Sequence, residues 1–338
     1  KLVTFLLFTI SAVAQTFTNP ILPSGPDPWI VRDGGYYFLT VTTGSNLVIR
    51  KAKSLAGLKS AQAVVVWTPP ATGADSKELW APELHRIGGK WYLYYAADAG
   101  SNRDHRMYVL ENGDADPTTL HWVSKGRLSS DDHWAIDATV FELGRSLYAV
   151  WSGWEGAVDG SQNLYIAKMK NPWSVDGPRV MISTPDHAWE QFGDLNESGG
   201  KRHVNVNEGP EVLQHGGRVF LVYSASGCWT DHYALGMLSL AKGGDPMSRG
   251  AWAKSSEPVF EGSAADGVFS PGHNGFFTSP DGKESWIVYH ANPAANQGCG
   301  GHRSPRAQRF RWNGDGTPDF GRPISTATPM AVPSGDPR

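Results

Sequence analysis

The feature that most constrains the fold of this chain is a motif that occurs five times: a glycine-containing turn followed by a strand rich in aromatic residues. Its glycines recur every 54 to 72 residues. Units of this length that repeat along a chain are typical of architectures in which each repeat forms one small sheet. The five copies occupy residues 34–40, 88–95, 144–151, 216–223 and 282–289. Five copies predict five sheets of similar construction.

Each copy of the motif is the second strand of a small meander. An apolar strand precedes the turn, as in residues 138–143, and a third strand usually follows, as in residues 163–168. No window of ten or more residues has a convincing helical stripe. A two-sheet β-sandwich also consists of many short strands, but it would not explain the repeat. We therefore predict an all-β chain that folds as a five-bladed β-propeller.

The first residues predict export of the protein. Residues 1–14 contain one cation, an apolar stretch and the small-residue ending Ala12-Val13-Ala14, which is typical of a secretory signal peptide. The alternative is that this stretch is a buried first strand. We expect cleavage after Ala14, a secreted extracellular protein, and a single catalytic propeller domain over residues 15–338. No later segment has the roughly 20 continuous apolar residues that a transmembrane helix needs, so no membrane partner is expected.

Charge and cysteine content restrict the partners and the compartment. The formal net charge is −3, and the chain has no basic run, which argues against a nucleic acid partner. We expect a monomer, although the sequence does not determine the oligomeric state. The two cysteines, Cys228 and Cys299, are an even number and predict one disulfide in an oxidising compartment. Two unpaired thiols are the alternative.

Polar residues occupy equivalent positions just before or at the first strand of every repeat. The strands nearest the axis of a propeller direct their ends and loops into a common central cavity. We therefore expect these polar residues to converge on one shared site. The five segments are Pro26-Asp27-Pro28-Trp29, Trp80-Ala81-Pro82-Glu83, Ala135-Ile136-Asp137, Asn207-Glu208-Gly209-Pro210-Glu211 and Gly272-His273-Asn274.

Three carboxyl groups in this set suit the hydrolysis of a glycosidic bond. That reaction needs one protonated carboxylic acid to donate to the leaving oxygen and one ionised carboxylate to activate water or attack carbon. A third carboxylate can raise the pKa of the acid by its like charge. Asp27, Asp137 and Glu208 are the predicted catalytic residues.

Together, the five segments resemble glycoside hydrolase family 43, among its arabinofuranosidases and arabinanases, and the resemblance covers most of the mature chain. It implies that Asp27 is the general base, that Asp137 tunes and orients the acid, and that Glu208 is the general acid of an inverting mechanism. His273 matches a histidine that, in many members, faces a hydrated cation on the propeller axis. Arg306 matches an arginine that contacts the sugar.

The acidic residues also have structural explanations. Asp27 stands between prolines, where aspartate often forms a turn, and Asp137 could accept backbone N–H bonds at the start of a strand. Glu211 competes with Glu208 for the role of acid, but the Gly-Pro between them is expected to leave Glu208 outside the strand. We assign structural roles to Glu83 and Glu211, because both lie beside proline at strand starts.

Tryptophans near the acids are candidates for binding a sugar. Trp29 and Trp80 are predicted to bind substrate, because an indole face can stack on the apolar face of a sugar ring, and Trp134 and Trp154 also stand near the acids. The alternative is that these residues pack between blades, which is the usual role of so bulky a side chain.

The resemblance implies an exo-acting α-L-arabinofuranosidase that releases arabinose from α-1,5-linked arabinan or another arabinose-bearing plant cell-wall polysaccharide. Endo-arabinanase, β-xylosidase and galactan-directed activities occur in the same family, and a sugar-binding propeller without activity is a further alternative. No cofactor is expected in the chemistry. The resemblance leaves open whether a structural calcium ion, a sodium ion or no ion lies on the axis.

Overall fold

The computed structural model describes residues 15–129, 131–197 and 200–337. Over these residues the chain forms five four-stranded antiparallel sheets, which confirms the predicted all-β five-bladed propeller. The predicted signal peptide, residues 1–14, lies outside the described residues, as does residue 338 of the predicted domain. From the inner to the outer edge, the strands are Trp29–Asp33, Tyr36–Thr40, Leu47–Ala52 and Ala63–Trp67 in blade 1; Lys77–Ile87, Lys90–Asp98, Arg106–Asn112 and Val123–Arg127 in blade 2; Ala135–Leu143, Ser146–Gly153, Asn163–Asn171 and Ser174–Ser183 in blade 3; Asn207–His215, Arg218–Ala225, Ala234–Leu240 and Trp252–Lys254 in blade 4; and Phe269–Thr278, Ser285–Asn292, Ser304–Trp312 and Pro318–Asp319 in blade 5.

Two smaller pairings and five short 3₁₀ helices complete the described secondary structure. A hairpin of Asp194–Glu197 and Gly200–His203 lies between blades 3 and 4 along the chain, and Thr16–Phe17 pairs with Met330–Ala331. None of the described helices is long and apolar enough to cross a membrane. The helices are Ala56–Lys59, Asn102–Asp104, Ala188–Glu190, Arg249–Ala251 and Ala264–Asp266.

Glycine pairs form the tight turns between the first and second strands of blades 1, 2 and 4. In blade 1, Gly34 and Gly35 have φ angles of 56° and 81°, and the equivalent pairs in blades 2 and 4 also have positive φ at both residues. Two successive residues of this kind form a type I′ turn, whose twist matches that of the flanking strands. Glycine adopts this conformation without the steric cost of a Cβ atom, which explains the glycines that mark the repeat.

The hydrophobic core consists of five clusters, one in each interface between neighbouring blades. The aromatic second strands supply much of it: Trp91, Tyr95, Tyr223 and Tyr289 are fully buried. Burying a large apolar side chain contributes roughly 1.5–3 kcal/mol. The aromatic strand recurs because each blade must fill the space against its neighbour.

The segment before the first strand of blade 1 closes the ring against blade 5. The backbone N–H of Gly25 donates to the carbonyl of Arg303 at 3.0 Å. The side chain of Asn19 continues this pairing, because its Nδ2 donates to the carbonyl of Ala307 and its Oδ1 accepts from the N–H of Ala307, both at 3.0 Å. This closure brings Asp27 beside the residues of blade 5.

Candidate active site

A cavity of about 460 Å³ lies where the starts of the five inner strands meet. Four residues predicted to converge on the axis, Asp27, Asp137, Glu208 and His273, line this cavity and are buried. The volume lies within the range of roughly 300–1,000 Å³ that is typical of small-molecule sites. The other lining residues are Thr42, Glu78, Trp80, Asn102, Trp134, Ile136, Asp159, Gln162, Arg202, Val204, Cys228, Trp229, Cys299 and Arg303.

A larger cavity, about 740 Å³, lies at the opposite ends of the inner strands of blades 4 and 5. His215, Thr278 and Glu284 are among the residues that line it, and none of the predicted catalytic acids does so. Converging buried carboxyl groups with shifted pKa values are a stronger sign of chemistry than volume. The axial cavity is therefore the candidate active site.

The inner strands of blades 2 to 5 each contain a β-bulge where they border the cavity. The equivalent residue of each bulge has a positive φ: 44° at Ala81, 57° at Asp137, 52° at Gly209 and 47° at His273. Asp27, just before the first strand of blade 1, has a φ of 56°. A left-handed backbone is disfavoured for residues that carry a Cβ, and such strain persists where the surrounding structure imposes it, often at functional sites. A bulge re-aims side chains, and here those of Asp137 and His273 face the cavity.

Glu208 lies just before the bulge of blade 4. The Gly209-Pro210 pair that follows was expected to leave Glu208 outside the strand, but the strand Asn207–His215 contains both Glu208 and Glu211. The pairing register shifts between these two glutamates. The Gly-Pro pair therefore forms a bulge within the strand, and this irregularity separates the environments of the two acids.

Asp27 is surrounded by one cation and two imidazoles. Its Oδ1 accepts a hydrogen bond from Nη1 of Arg303 at 3.0 Å and lies 3.4 Å from Nδ1 of both His273 and His290. Burial alone would raise the pKa of Asp27, but Arg303, His273 and the hydrogen bond with His290 outweigh it and hold the pKa well below its usual range. Asp27 is therefore ionised, which is the state that a general base requires.

Glu208 has the opposite electrostatic environment. Burial raises the pKa of Glu208 to about 7; the hydrogen bond from Tyr233 and the charge of Arg303 oppose this rise, and the charge of Asp27 adds to it. The hydroxyl of Tyr233 donates to Oε1 of Glu208 at 2.8 Å. Glu208 therefore keeps a proton up to neutral pH, as a general acid must.

Asp137 lies between these two residues in both role and contact. Its Oδ2 accepts a hydrogen bond from the N–H of Gly209, next to Glu208, at 3.1 Å. Burial raises the pKa of Asp137 well above its usual range, and the charges of Glu208 and Asp27 raise it further. Asp137 thus accepts a backbone N–H bond, its proposed structural role, and is also electrostatically coupled to Glu208.

His273 borders the cavity at the axis, where its N–H donates to Oγ of Ser224 at 2.7 Å. Burial lowers the pKa of His273, so the imidazole is neutral near pH 7. Within the described part of the chain, neither side-chain polar atom of the neighbouring Asn274 has a hydrogen-bond partner, although Asn274 is only 3% exposed. An amide oxygen is an acceptable ligand for calcium, and a neutral imidazole can hydrogen-bond to the water of a hydrated ion. The residues therefore fit the predicted axial cation, which stays a prediction.

Two of the predicted substrate-binding residues lie away from the cavity surface, so those predictions need correction. Arg306 is fully buried within blade 5, where its Nη2 and Nε lie within 3.5 Å of the carbonyl of Ala291 and the hydroxyl of Ser304. Trp29 is buried between blades 1 and 2, and its Nε1 donates to the carbonyl of Leu84 at 2.9 Å. Arg306 and Trp29 therefore have structural contacts instead of surfaces that a sugar could reach.

Arg303 takes the place in the cavity that was predicted for Arg306. Arg303 lies in the loop just before the strand Ser304–Trp312, whereas Arg306 lies within that strand, so a shift of three residues exchanges an exposed loop position for a buried one. The sequence contained one signal for Arg303, its position four residues after Cys299, beside the predicted disulfide. His290 and Tyr233 were also missed, because neither stands near a catalytic acid in the sequence.

The predicted disulfide is confirmed. Cys228 and Cys299 are bonded, with their Cα atoms 5.2 Å apart, and both line the cavity. The bond joins a loop of blade 4 that carries Trp229 to a loop of blade 5 that leads to Arg303. It therefore ties together two parts of the cavity wall.

Trp80 lines the cavity as predicted and is half-buried. Its indole is stacked on the imidazole of the buried His105, with ring centroids 3.9 Å apart. Trp134 also lines the cavity and is stacked on Trp154, with centroids 4.7 Å apart. These contacts give the cavity a rigid aromatic wall.

Comparisons with known proteins find similarity over nearly the whole chain. The family model described as Glycosyl hydrolases family 43 matches residues 17–318. An extracellular exo-alpha-(1->5)-L-arabinofuranosidase of Streptomyces avermitilis is 42% identical over 336 residues, which cover 94% of this chain and 66% of that protein. Alpha-L-arabinofuranosidase 43 of Humicola insolens is 38% identical and is matched over 92% of this chain and 64% of that protein. The chain therefore spans about two thirds of the length of these relatives.

A solved structure is similar in both fold and sequence. The crystal structure of alpha-L-arabinofuranosidase from Lactobacillus brevis has a TM-score of 0.83 and 37% sequence identity to this chain. The match covers 92% of this chain and 98% of that one.

Proposed function

Because the chain belongs to glycosyl hydrolase family 43, we propose that it is an inverting, exo-acting α-L-arabinofuranosidase that releases arabinose from α-1,5-linked arabinan. One observation carries the proposal. A single buried cavity contains Asp27, whose pKa is held well below its usual range, and Glu208, whose pKa is raised to about 7. Hydrolysis of a glycosidic bond needs this division between an ionised base and a protonated acid. The arabinofuranosidase names of the relatives support the choice of sugar.

In the proposed reaction, Glu208 donates its proton to the glycosidic oxygen while the bond from that oxygen to the anomeric carbon breaks. A water molecule attacks the anomeric carbon from the opposite face, and Asp27 accepts a proton from it. The bonding electron pair leaves with the protonated oxygen of the shortened chain. Attack from the opposite face converts an α-linked unit into β-arabinose.

Neighbouring residues maintain the two protonation states. Arg303 lies 3.0 Å from Asp27 and stabilises its negative charge. Asp137, which is hydrogen-bonded next to Glu208, disfavours ionisation of the acid by its own negative charge and holds the adjacent backbone in place. Trp80 presents an indole at the cavity wall on which an arabinofuranose ring can stack.

The remaining parts of the proposal concern partners and location. The substrate is arabinan or another arabinose-bearing cell-wall polysaccharide, and the enzyme acts outside the cell as a monomer. Asp27 and Glu208 move every proton in the reaction, so the chemistry needs no cofactor. A calcium or sodium ion near His273 and Asn274 would supply positive charge and structural support at the axis.

Digestion of linear α-1,5-arabinan tests the proposal. Chromatography of the early products should detect arabinose without intermediate oligomers, because an exo enzyme removes one terminal unit at a time. Early oligomers of mixed length would replace the proposal with an endo-arabinanase. Binding of arabinan without any release of reducing sugar would indicate a sugar-binding propeller.

The stereochemical course is tested separately. NMR spectra recorded during the first turnovers on an α-linked substrate should show β-arabinose before mutarotation mixes the anomers. Initial formation of α-arabinose would contradict the inverting mechanism and the role of Asp27 as general base.

A further inference from the structure

Glu190 is a buried carboxylate that the proposed mechanism does not use. It ends the short helix Ala188–Glu190 between blades 3 and 4 and is fully buried. Its Oε1 accepts hydrogen bonds from Nδ2 of Asn207 and from the hydroxyl of Tyr223, both at 2.9 Å. These two donors belong to the first and second strands of blade 4. Glu190 therefore reaches from a connecting segment into the blade that carries Glu208.

The other oxygen of Glu190 binds a cationic side chain. Nζ of Lys254 lies 2.7 Å from Oε2 of Glu190 and 2.8 Å from Oδ1 of Asp186, and it donates to the carbonyl of Thr184 at 2.7 Å. Asp186, His187 and Glu190 have ligand atoms within 4.8 Å of one another, a spacing that could hold a metal ion. We assign no metal here, because the ammonium group of Lys254 already lies against two of these three side chains.

Asn207 connects this ion pair to the candidate active site. It is fully buried and immediately precedes Glu208 in the chain. Besides the bond from its Nδ2 to Glu190, its Oδ1 accepts from Oγ of Ser183 and its carbonyl accepts from Oγ of Ser152, both at 2.9 Å. Side chains from three different segments thus hold the peptide unit from which Glu208 extends.

We propose that Glu190 is a positioning residue, whose buried pair with Lys254 holds Asn207 and, through it, holds the carboxyl group of Glu208 where it can protonate the leaving group. This inference rests on the proposed function, because it assumes that Glu208 is the general acid. Glu208 is then fixed from both sides, by Asn207 before it and by the bond from Gly209 to Asp137 after it.

The chemistry of the contacts explains why a carboxylate is needed at position 190. Besides Asn207, Tyr223 and Lys254, the backbone N–H groups of Asp186 and His187 donate to Glu190, each at 2.9 Å. An ionised carboxylate accepts on both oxygens, whereas an amide accepts on one atom and donates from the other. Glu190→Gln therefore places a donor against other donors and disrupts the network at one end.

A double-mutant cycle tests the inference. We expect Glu190→Gln to lower kcat/KM on arabinan roughly tenfold to hundredfold, the scale of loss caused by a small misplacement of a reacting group. In a Glu208→Gln background, the same substitution should change kcat/KM less than about twofold, because the acid it positions is already absent. Equal effects of Glu190→Gln in both backgrounds would overturn the inference.

Two further measurements distinguish positioning from loss of stability. The damage caused by Glu190→Gln should shrink for aryl arabinosides with good leaving groups, which need little protonation. The upper limb of the pH profile should move to lower pH, because a displaced Glu208 becomes better hydrated. The other charged groups that face Glu208, which are Asp27, Asp137 and Arg303, and the hydroxyl of Tyr233 are unchanged in this variant. A loss that is independent of both leaving group and pH would contradict the inference.

Glu284→Gln is a matched control. Glu284 is a partly buried carboxylate of blade 5 that accepts hydrogen bonds from Arg309, Trp286 and Ser334, far from the axial cavity along the chain's blade 5 turn. Its substitution should lower the thermal midpoint of unfolding without changing the leaving-group dependence or the pH profile. The same kinetic change in Glu284→Gln and in Glu190→Gln would reduce the role of Glu190 to general stability.

Two additions keep the test decisive. If Glu190→Gln does not fold, Ser183→Ala removes one neutral hydrogen bond to Asn207 and should give the same kinetic pattern at smaller amplitude; an unchanged leaving-group dependence there would contradict the inference. If the wild-type protein is inactive on every arabinoside, the proposed function fails, and a ¹³C NMR titration of Glu208 decides the inference alone. The pKa of Glu208 should fall in Glu190→Gln, and an unchanged pKa would overturn the inference.

Discussion

Two sets of buried carboxyl groups lie near the axis of this propeller, and only one of them borders the cavity. Asp27, Asp137 and Glu208 line the cavity, whereas Glu83 and Glu211 lie farther along the inner strands of blades 2 and 4 and are not among its lining residues. All five are less than 10% exposed. Burial is therefore shared, and access to the cavity differs.

The partners of the two sets also differ. Burial raises the pKa of both Glu83 and Glu211 well above the usual range, and the charge of Glu83 adds to the rise at Glu211. His85 lies 2.8 Å from Glu83, but burial lowers its pKa to about 3, so it supplies no positive charge near pH 7. Thr139 adds only a neutral hydroxyl, 3.4 Å from Glu211.

The comparison shows what a base requires in a buried site. Desolvation turns any buried carboxyl group into a proton holder, which suits an acid such as Glu208 but not a base. Asp27 stays ionised because the guanidinium of Arg303 lies 3.0 Å away. A cation beside one member of the set therefore separates the roles, and Glu83 and Glu211 have no such neighbour among the contacts described for them.

The largest expected effect comes from Asp27→Asn. This change removes the group that accepts the proton from water, so kcat/KM should fall roughly 10²- to 10⁴-fold on arabinan and on every aryl arabinoside. Glu83→Gln is the matched change in the other set and should leave kcat/KM within about twofold. Steady-state kinetics on both substrate classes measures the difference. A comparable loss in Glu83→Gln would mean that the two sets do not differ in function.

A loss nearly as large, but dependent on the substrate, is expected for Glu208→Gln. Activity on arabinan should fall by a similar factor of roughly 10²- to 10⁴-fold, because the leaving sugar needs a proton. The loss should shrink along a series of aryl arabinosides as the pKa of the leaving phenol falls. If Asp27→Asn and Glu208→Gln respond equally to leaving-group pKa, the acid and the base have been assigned wrongly.

Asp137→Asn should act mainly on the pH profile. Its removal takes away a negative charge that is coupled to Glu208, so the proton on the pair is lost at lower pH. The upper limb of the profile of kcat/KM should therefore move to lower pH, whereas the bond from Gly209 can persist to the amide oxygen. An upper limb that stays in place or moves to higher pH would contradict the coupling.

The smallest effect on activity is expected for the double variant Glu83→Gln/Glu211→Gln, whose change is in stability. A raised pKa means that the folded protein binds more protons than the unfolded chain, so the free energy of unfolding of the wild type decreases as pH rises above the usual value of 4.5. Glutamine has no such dependence. The variant should gain on the wild type by at most about 1.4 kcal/mol per pH unit and group, as measured by urea denaturation at pH 5 and pH 8. A difference that does not change with pH would mean that these two acids are ionised in the folded protein.

The fold and the catalytic acids were accessible from local sequence. The glycine pairs such as Gly34-Gly35 mark turns that need positive φ, and the aromatic strands mark the blade interfaces, so the five repeats predicted the five blades. The short motifs around Asp27, Asp137 and Glu208 placed them at equivalent strand starts, and the structure brings all three into one cavity. The resemblance to family 43 is confirmed over residues 17–318.

The residues that set the behaviour of these acids were less accessible. Arg306 and Arg303 lie three positions apart, and nothing in their local pattern tells which one enters the cavity. Trp29 stands beside Asp27 in the chain, yet its indole points into the interface between two blades. Strand alternation and bulges decide these directions, and the bulges depend on pairing with the neighbouring strand.

By itself, the sequence determined the number of blades, the disulfide between Cys228 and Cys299 as the pairing to expect, and the identity of the three acids, because each depends on a repeated local pattern or on a simple count. Only the tertiary structure decided which acid is ionised. The charge on Asp27 depends on Arg303, which lies 276 residues away in the chain, and the proton on Glu208 depends on burial by blades that its own motif does not contain. A pKa is set by everything within a few ångströms, and ring closure brings those neighbours together from opposite ends of the chain.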